Sequence, residues 1–295
     1  MEAYASTTDA RALGKWIRIE KAVNYIQLRQ NEDGGYSFAR GAESSAADTY
    51  YGIQVLKMLG AEPRNVTKTI DFMNRLQHED GSFDSINVAY YVARTLHELG
   101  AEPQKTFKHF ILSLQGAHGG FGVLEADLES PSELEVTYLS LELLRLVEHN
   151  LSLTKTKDLI LTRRNHDGSF GKYGYSKLGA TYHALASLSL LAFDVRTLSG
   201  TEEWVRSCEI PGGGFRTSPP EWFDPYFIMD DIYFGVKCLD ILGENYRFPS
   251  QTLDLIARFQ NENGGFRRSI FLGISTFEST YHAISACSTI LARSE

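Results

Sequence analysis

The sequence predicts an all-α chain, a closed ring of about six helix hairpins with roughly twelve helices, folded as one domain over residues 1–295. Three observations predict it. A glycine turn onto an aromatic residue recurs six times. A tyrosine-bearing segment follows each turn in gapless register, and each such segment is apolar in steps of three and four residues. The copies stand roughly 40 to 50 residues apart, the length of helix-pair repeats.

The turns come first. "LRQNEDGGYSF", "NRLQHEDGSFD", "LSLQGAHGGFG", "TRRNHDGSFGK", "RSCEIPGGGFR" and "RFQNENGGFRR" end on Tyr36, Phe83, Phe121, Phe170, Phe215 and Phe266. Gln30, Gln77, Gln115 and Gln260 stand six residues ahead of the aromatic, and Arg164 and Glu209 take that place in the other two copies.

The segments after the turns align on Tyr50, Tyr90, Tyr138, Tyr182, Tyr233 and Tyr281. Their period is helical, and apolar residues cover nearly the whole circumference, which implies burial. Small polar or acidic residues ahead of each tyrosine suit an N-cap and first turn. Gly60 and Gly100, each followed by "AEP", suit C-terminal caps. Helices ahead of the turns, such as "TKTIDFMNRLQ", are more amphipathic. One buried and one half-exposed helix per unit make an inner ring inside an outer ring, so that like ends of the inner helices share one mouth. "SPPEWFDPYF" reads as a long surface loop inside the fifth unit.

Composition narrows the function. Twenty-nine Lys and Arg against 37 Asp and Glu give a formal net charge of −8. This is not the basic excess of a nonspecific nucleic-acid binder. No apolar run reaches the roughly 18 residues of a membrane span. The start lacks the basic-then-apolar order of a signal peptide, and the three cysteines are scattered, so a cytoplasmic location is expected. G-x-x-x-x-G-K-[ST], H-E-x-x-H and a strand-borne G-x-G-x-x-G are all missing.

The Q-x-x-x-G-G-F turns followed by T-Y-x-A-L helices resemble the α/α toroid of protein prenyltransferase β subunits, whose fold squalene and other terpene cyclases share. The resemblance implies a prenyl diphosphate substrate and a separate helical-repeat α subunit. It implies zinc at Asp230 and His282, with Ile232 where the family has its cysteine ligand and Ser279 where it has an aspartate. A cysteine at residue 232 would complete that ligand set. It also implies a diphosphate site at Lys177, Arg216, Tyr233, Arg267 and Arg268, with magnesium expected only in company with the diphosphate.

"MDDIY", Met229–Tyr233, thus has three readings: part of a zinc site, an acid centre at Asp230 and Asp231, or favourable first-turn charge on a helix. The acid reading is that of class II terpene cyclases, although Ile228 replaces the first aspartate of their D-x-D-D motif. A noncatalytic binding or scaffold toroid stays open beside prenyl transfer and cyclisation.

Overall fold

The computed structural model describes residues 10–122, 132–148, 153–171, 176–217 and 228–293. The expected loop at 218–227 lies outside the described residues. Among the described residues, thirteen α-helices form: the expected six pairs and one short extra helix, α1 (Ala10–Leu13), which packs on the last helix.

The inner helices are α3 (Ala46–Met58), α5 (Ile86–Glu98), α7 (Ser132–Val147), α9 (Lys177–Leu190), α11 (Met229–Leu242) and α13 (Phe277–Ala292). Each packs on the next, and α13 packs back on α3, which closes the ring. Outside them lie α2 (Ile19–Gln27), α4 (Val66–Asn74), α6 (Lys108–Ser113), α8 (Thr154–Thr162), α10 (Thr201–Cys208) and α12 (Pro249–Ala257), each against the inner helix that follows it. A two-stranded hairpin, β1 (Phe266–Arg267) with β2 (Ser275–Thr276), leads into α13.

The repeated residues have distinct jobs. Hydroxyls cap four inner helices: Ser45, Ser85, Ser176 and Thr276 each accept a first-turn N–H at 3.0–3.2 Å. The glutamine ahead of each turn ties one unit to the next. Gln30 Nε2 donates to Gly34 O and Thr69 Oγ1, while its Oε1 accepts from Asn65 N. The substitutes keep the task. Arg164 donates to Ser199 O and Thr201 Oγ1, and Glu209 Oε1 accepts from Arg247 N.

Gly34 shows why the turn demands glycine. Its φ is +93°, and a Cβ would lie 2.2 Å from the Lys68 carbonyl carbon.

The threonine before the tyrosine is a stitch. Thr49, Thr181 and Thr280 each accept the N–H of the turn aromatic (Tyr36, Phe170 and Phe266) at 3.0 Å. Each stitch fixes the rotation of its inner helix, and so points the next residue, the tyrosine, at the ring axis.

Candidate functional site

The six repeated tyrosines meet at the centre. Ring centroids are 5.4 Å apart for Tyr50 and Tyr90, 5.7 Å for Tyr138 and Tyr182, and 5.8 Å for both Tyr182–Tyr233 and Tyr233–Tyr281. Tyr281 approaches Tyr50 at 6.2 Å. Hydroxyls touch as well, at 3.3 Å for Tyr50 and Tyr90 and 3.4 Å for Tyr182 and Tyr138. Burial raises the pKa of Tyr50 and Tyr233 far above the usual phenol value, so both are neutral at any physiological pH.

The next residue along each inner helix forms a second tier: Tyr51, Tyr91, Leu139, His183, Phe234 and His282. Both tiers line one cavity of about 390 Å³. Burial, and secondarily the charge of His282, lowers the pKa of His183 to about 3, which makes it a neutral wall residue. Polar groups on the wall include Gln54, Arg94, Glu133, Glu135, Arg163, Ser176 and Glu278. Both arginines have carboxylate partners. Arg163 grips Glu133 with Nε at 2.7 Å and Nη2 at 3.3 Å, and Arg94 stands 3.7 Å from Glu142.

Asp230 and His282 do come together. His282 Nδ1 lies 3.1 Å from Asp230 Oδ1, and Arg268 Nε donates to Asp230 Oδ2 at 2.7 Å. The imidazole stacks on Tyr233, with centroids 4.2 Å apart and planes 16° from parallel. Burial pushes the Asp230 pKa up, but His282 and Arg268 outweigh it and hold the carboxyl below the usual range.

Zinc does not fit these residues. Both Asp230 oxygens are engaged, and one of them holds a nitrogen of the other expected ligand. Ile232 occupies the stitch position and packs toward the Gly214 turn, fully buried. Among the described residues, no group of three or more His, Cys, Asp or Glu is arranged to hold a metal.

The other expected site residues disperse. Ser176 Oγ donates to Asp231 Oδ1 at 2.8 Å, and Asp231 is absent from the cavity lining among the described residues. Burial raises its pKa to about 6. Lys177 pairs with Asp167 at 3.5 Å. Arg267 turns back to the Arg258 carbonyl and Asn261. Arg216 donates its backbone N–H to Cys208 O. Tyr233 alone of the five expected diphosphate contacts lines the cavity, and Arg268 bonds to Asp230, whose other oxygen meets the cavity residue His282.

Sequence reasoning passed over Glu135 as a site residue. The signal was available: Glu135, Asp230 and Glu278 each stand three residues ahead of the repeated tyrosine, so one register carries three carboxyls.

The family model described as "Prenyltransferase alpha-alpha toroid domain" matches residues 3–84, 83–224 and 225–294. The chain belongs to the prenyltransferase alpha-alpha toroid family. Within it, the chain is 24% identical to the Geranylgeranyl transferase type-1 subunit beta of Arabidopsis thaliana, over 82% of this chain and 74% of that protein. It is 25% identical to the Drimenyl diphosphate synthase of Streptantibioticus cattleyicolor over 52% of this chain, which spans only 32% of that protein.

Two solved toroids share the fold. One is Candida albicans protein geranylgeranyltransferase-I complexed with GGPP, with TM-score 0.67, 19% identity, and 92% of this chain and 91% of that one covered. The other is a type II terpene cyclase from Scytonema in complex with geranylgeranyl dihydroxybenzoate, with TM-score 0.63, 12% identity, and 96% and 97% covered. No helix among the described residues is long and apolar enough to cross a membrane.

Proposed function

We propose that this toroid is an enzyme of isoprenoid chemistry that takes a long prenyl chain into its central cavity. The observation that carries this is the two-tier aromatic well. Six tyrosines form its inner tier, and three further aromatic rings and two imidazoles supply most of the second. Such a wall suits a flexible polyene, because it buries apolar surface and offers ring faces along its whole length. The relatives support the reading, since their names include geranylgeranyl transfer and a cyclase bound to a geranylgeranyl compound.

A prenyl diphosphate is the expected form of the substrate, with its phosphates at the rim beside Arg268. A helical-repeat α subunit and magnesium belong to the same prenyltransferase reading. Transfer to a zinc-bound thiol does not, because Asp230 and His282 bond to each other and not to an open position.

Cyclisation is the second reading. The observation favouring it is the charge on the cavity wall, where both arginines have carboxylate partners while Glu135 and Glu278 remain beside the aromatic tiers.

Calorimetric titration with geranylgeranyl diphosphate, farnesyl diphosphate and geranylgeraniol tests the proposal. Saturable binding of the prenyl chain is the expected result, with loss of affinity on Arg268→Ala confined to the diphosphates. Absence of binding by all three would overturn it and leave a scaffold role.

A further inference from the structure

The cavity holds two carboxyls whose surroundings pull them apart chemically. Glu135 and Glu278 sit in the first turns of α7 and α13, in the same register three residues ahead of Tyr138 and Tyr281. They therefore stand at one level above the tyrosine tier, and both line the cavity.

Glu278 is exposed and accepts a hydrogen bond from Tyr51 Oη at 3.3 Å, an arrangement that suits a carboxylate. Glu135 is half-buried, and among the described residues no lysine, arginine or histidine forms an ion pair with it. Tyr91 lies within electrostatic reach of both. Burial first, and the charge of Glu278 second, raise the Glu135 pKa. Of two such carboxyls, the more shielded one holds its proton the more tightly.

We propose that Glu135 is a Brønsted acid that protonates an alkene of a prenyl chain held in the cavity and so starts its cyclisation. The proposal rests on the reading of the cavity as a prenyl site. The Glu135 O–H bond breaks, and a C–H bond forms at the less substituted alkene carbon. The π pair of the next alkene closes a C–C bond onto the tertiary cation, and the final cation loses a proton to water or a carboxylate. The product is an isomer of the substrate, no co-reactant is consumed, and Glu135 is reprotonated from solvent.

Tyr51, Tyr91 and Phe234 line the same cavity, and aromatic rings there stabilise such a cation. Asp230 is poorly suited to the role, because Arg268 and His282 hold it ionised. Asp231 is likewise unsuited, since it is not among the described residues that line the cavity.

The test incubates the full-length chain with geranylgeraniol and with geranylgeranyl diphosphate in D2O and analyses products by mass spectrometry. The expected product is a cyclic isomer carrying deuterium at the protonated carbon. Glu135→Gln should lower its rate by about 100-fold or more, while affinity for the prenyl chain, measured by calorimetry, stays within about two-fold of wild type. Glu135→Asp, which keeps an acid, should retain a measurable fraction of the rate. Full-rate turnover by folded Glu135→Gln would overturn the proposal, as would wild-type protein that binds the chain but forms no deuterated cyclic product. Absence of binding by the wild type would bring down the cavity reading and this proposal with it.

Discussion

Gln260 and Arg18, 242 positions apart in sequence, are joined by four hydrogen bonds: Arg18 N and Nε donate to Gln260 Oε1, Arg18 Nη2 to Gln260 O, and Gln260 Nε2 to Arg18 O. The sixth unit thereby holds the first as Gln30 holds the second. Gln260→Ala removes an acceptor from a half-buried backbone N–H and leaves the Gly264 carbonyl without its side-chain donor. We expect a loss of about 1–3 kcal/mol, read from urea denaturation, with the α13–α3 seam the first to gain amide exchange. Unchanged stability would mean that the seam is held by apolar packing alone.

Asp231 gives a pH-dependent prediction. Burial raises its folded pKa to about 6, above the roughly 4 of an unfolded aspartate. A raised carboxyl favours the folded state while protonated, so its contribution is full below about pH 4 and is lost as pH rises through about 6. Asp231→Asn keeps an acceptor for Ser176 and never ionises. It should stabilise the protein by about 1–3 kcal/mol at pH 8, with the gain fading toward pH 4. Thermal denaturation at three pH values checks the slope, and a gain constant with pH would refute the assignment.

Arg163→Ala should be among the costlier substitutions of the cavity wall. It strips Glu133, buried to 3% side-chain exposure, of its bidentate partner and leaves, among the described residues, His118 at 3.5 Å as its ion-pair partner. An unpaired buried carboxylate costs about 3 kcal/mol or more. The double variant Arg163→Met with Glu133→Gln should recover much of this, and guanidinium denaturation would show it.

Zinc content offers a direct check on the Asp230–His282 pair. Protein purified without added metal should carry well under one zinc per chain. Ile232→Cys should add little, because Arg268 still claims one Asp230 oxygen and residue 232 packs toward the Gly214 turn. Plasma emission analysis giving one tightly held zinc per chain, in either protein, would contradict the hydrogen-bonded pair.

The ring was readable in the sequence because its parts repeat in register. A tyrosine aligned six times, with threonine before it in four copies, records one cavity-lining position occupied six times over. The directions of the Lys177 and Arg267 side chains were not legible, for the opposite reason. Proximity to a turn does not fix where a long flexible side chain points, and local partners claim both, Asp167 for one and the Arg258 carbonyl for the other. Asp230 meeting His282 followed from the family resemblance, whereas the second partner of Asp230 is Arg268, which sits on the irregular segment after β1 where no periodicity operates. Glu135 shares the register of Asp230, but a first-turn glutamate is so common in helices that register alone does not distinguish it.

The tyrosine tier is nearly the same from every side, and the threonine stitches hold it from outside the cavity. Chemical direction in the well therefore comes from the second tier, which runs round the ring as phenols at 51 and 91, Leu139, an imidazole at 183, Phe234 and an imidazole at 282 that lies next to Tyr51. One layer keeps the vessel's shape and an adjacent, independently replaceable layer chooses its contents. Exchanging residues in that upper layer should alter which end of an asymmetric guest enters first, and which of its bonds lies under Glu135, while the barrel beneath stays unaltered.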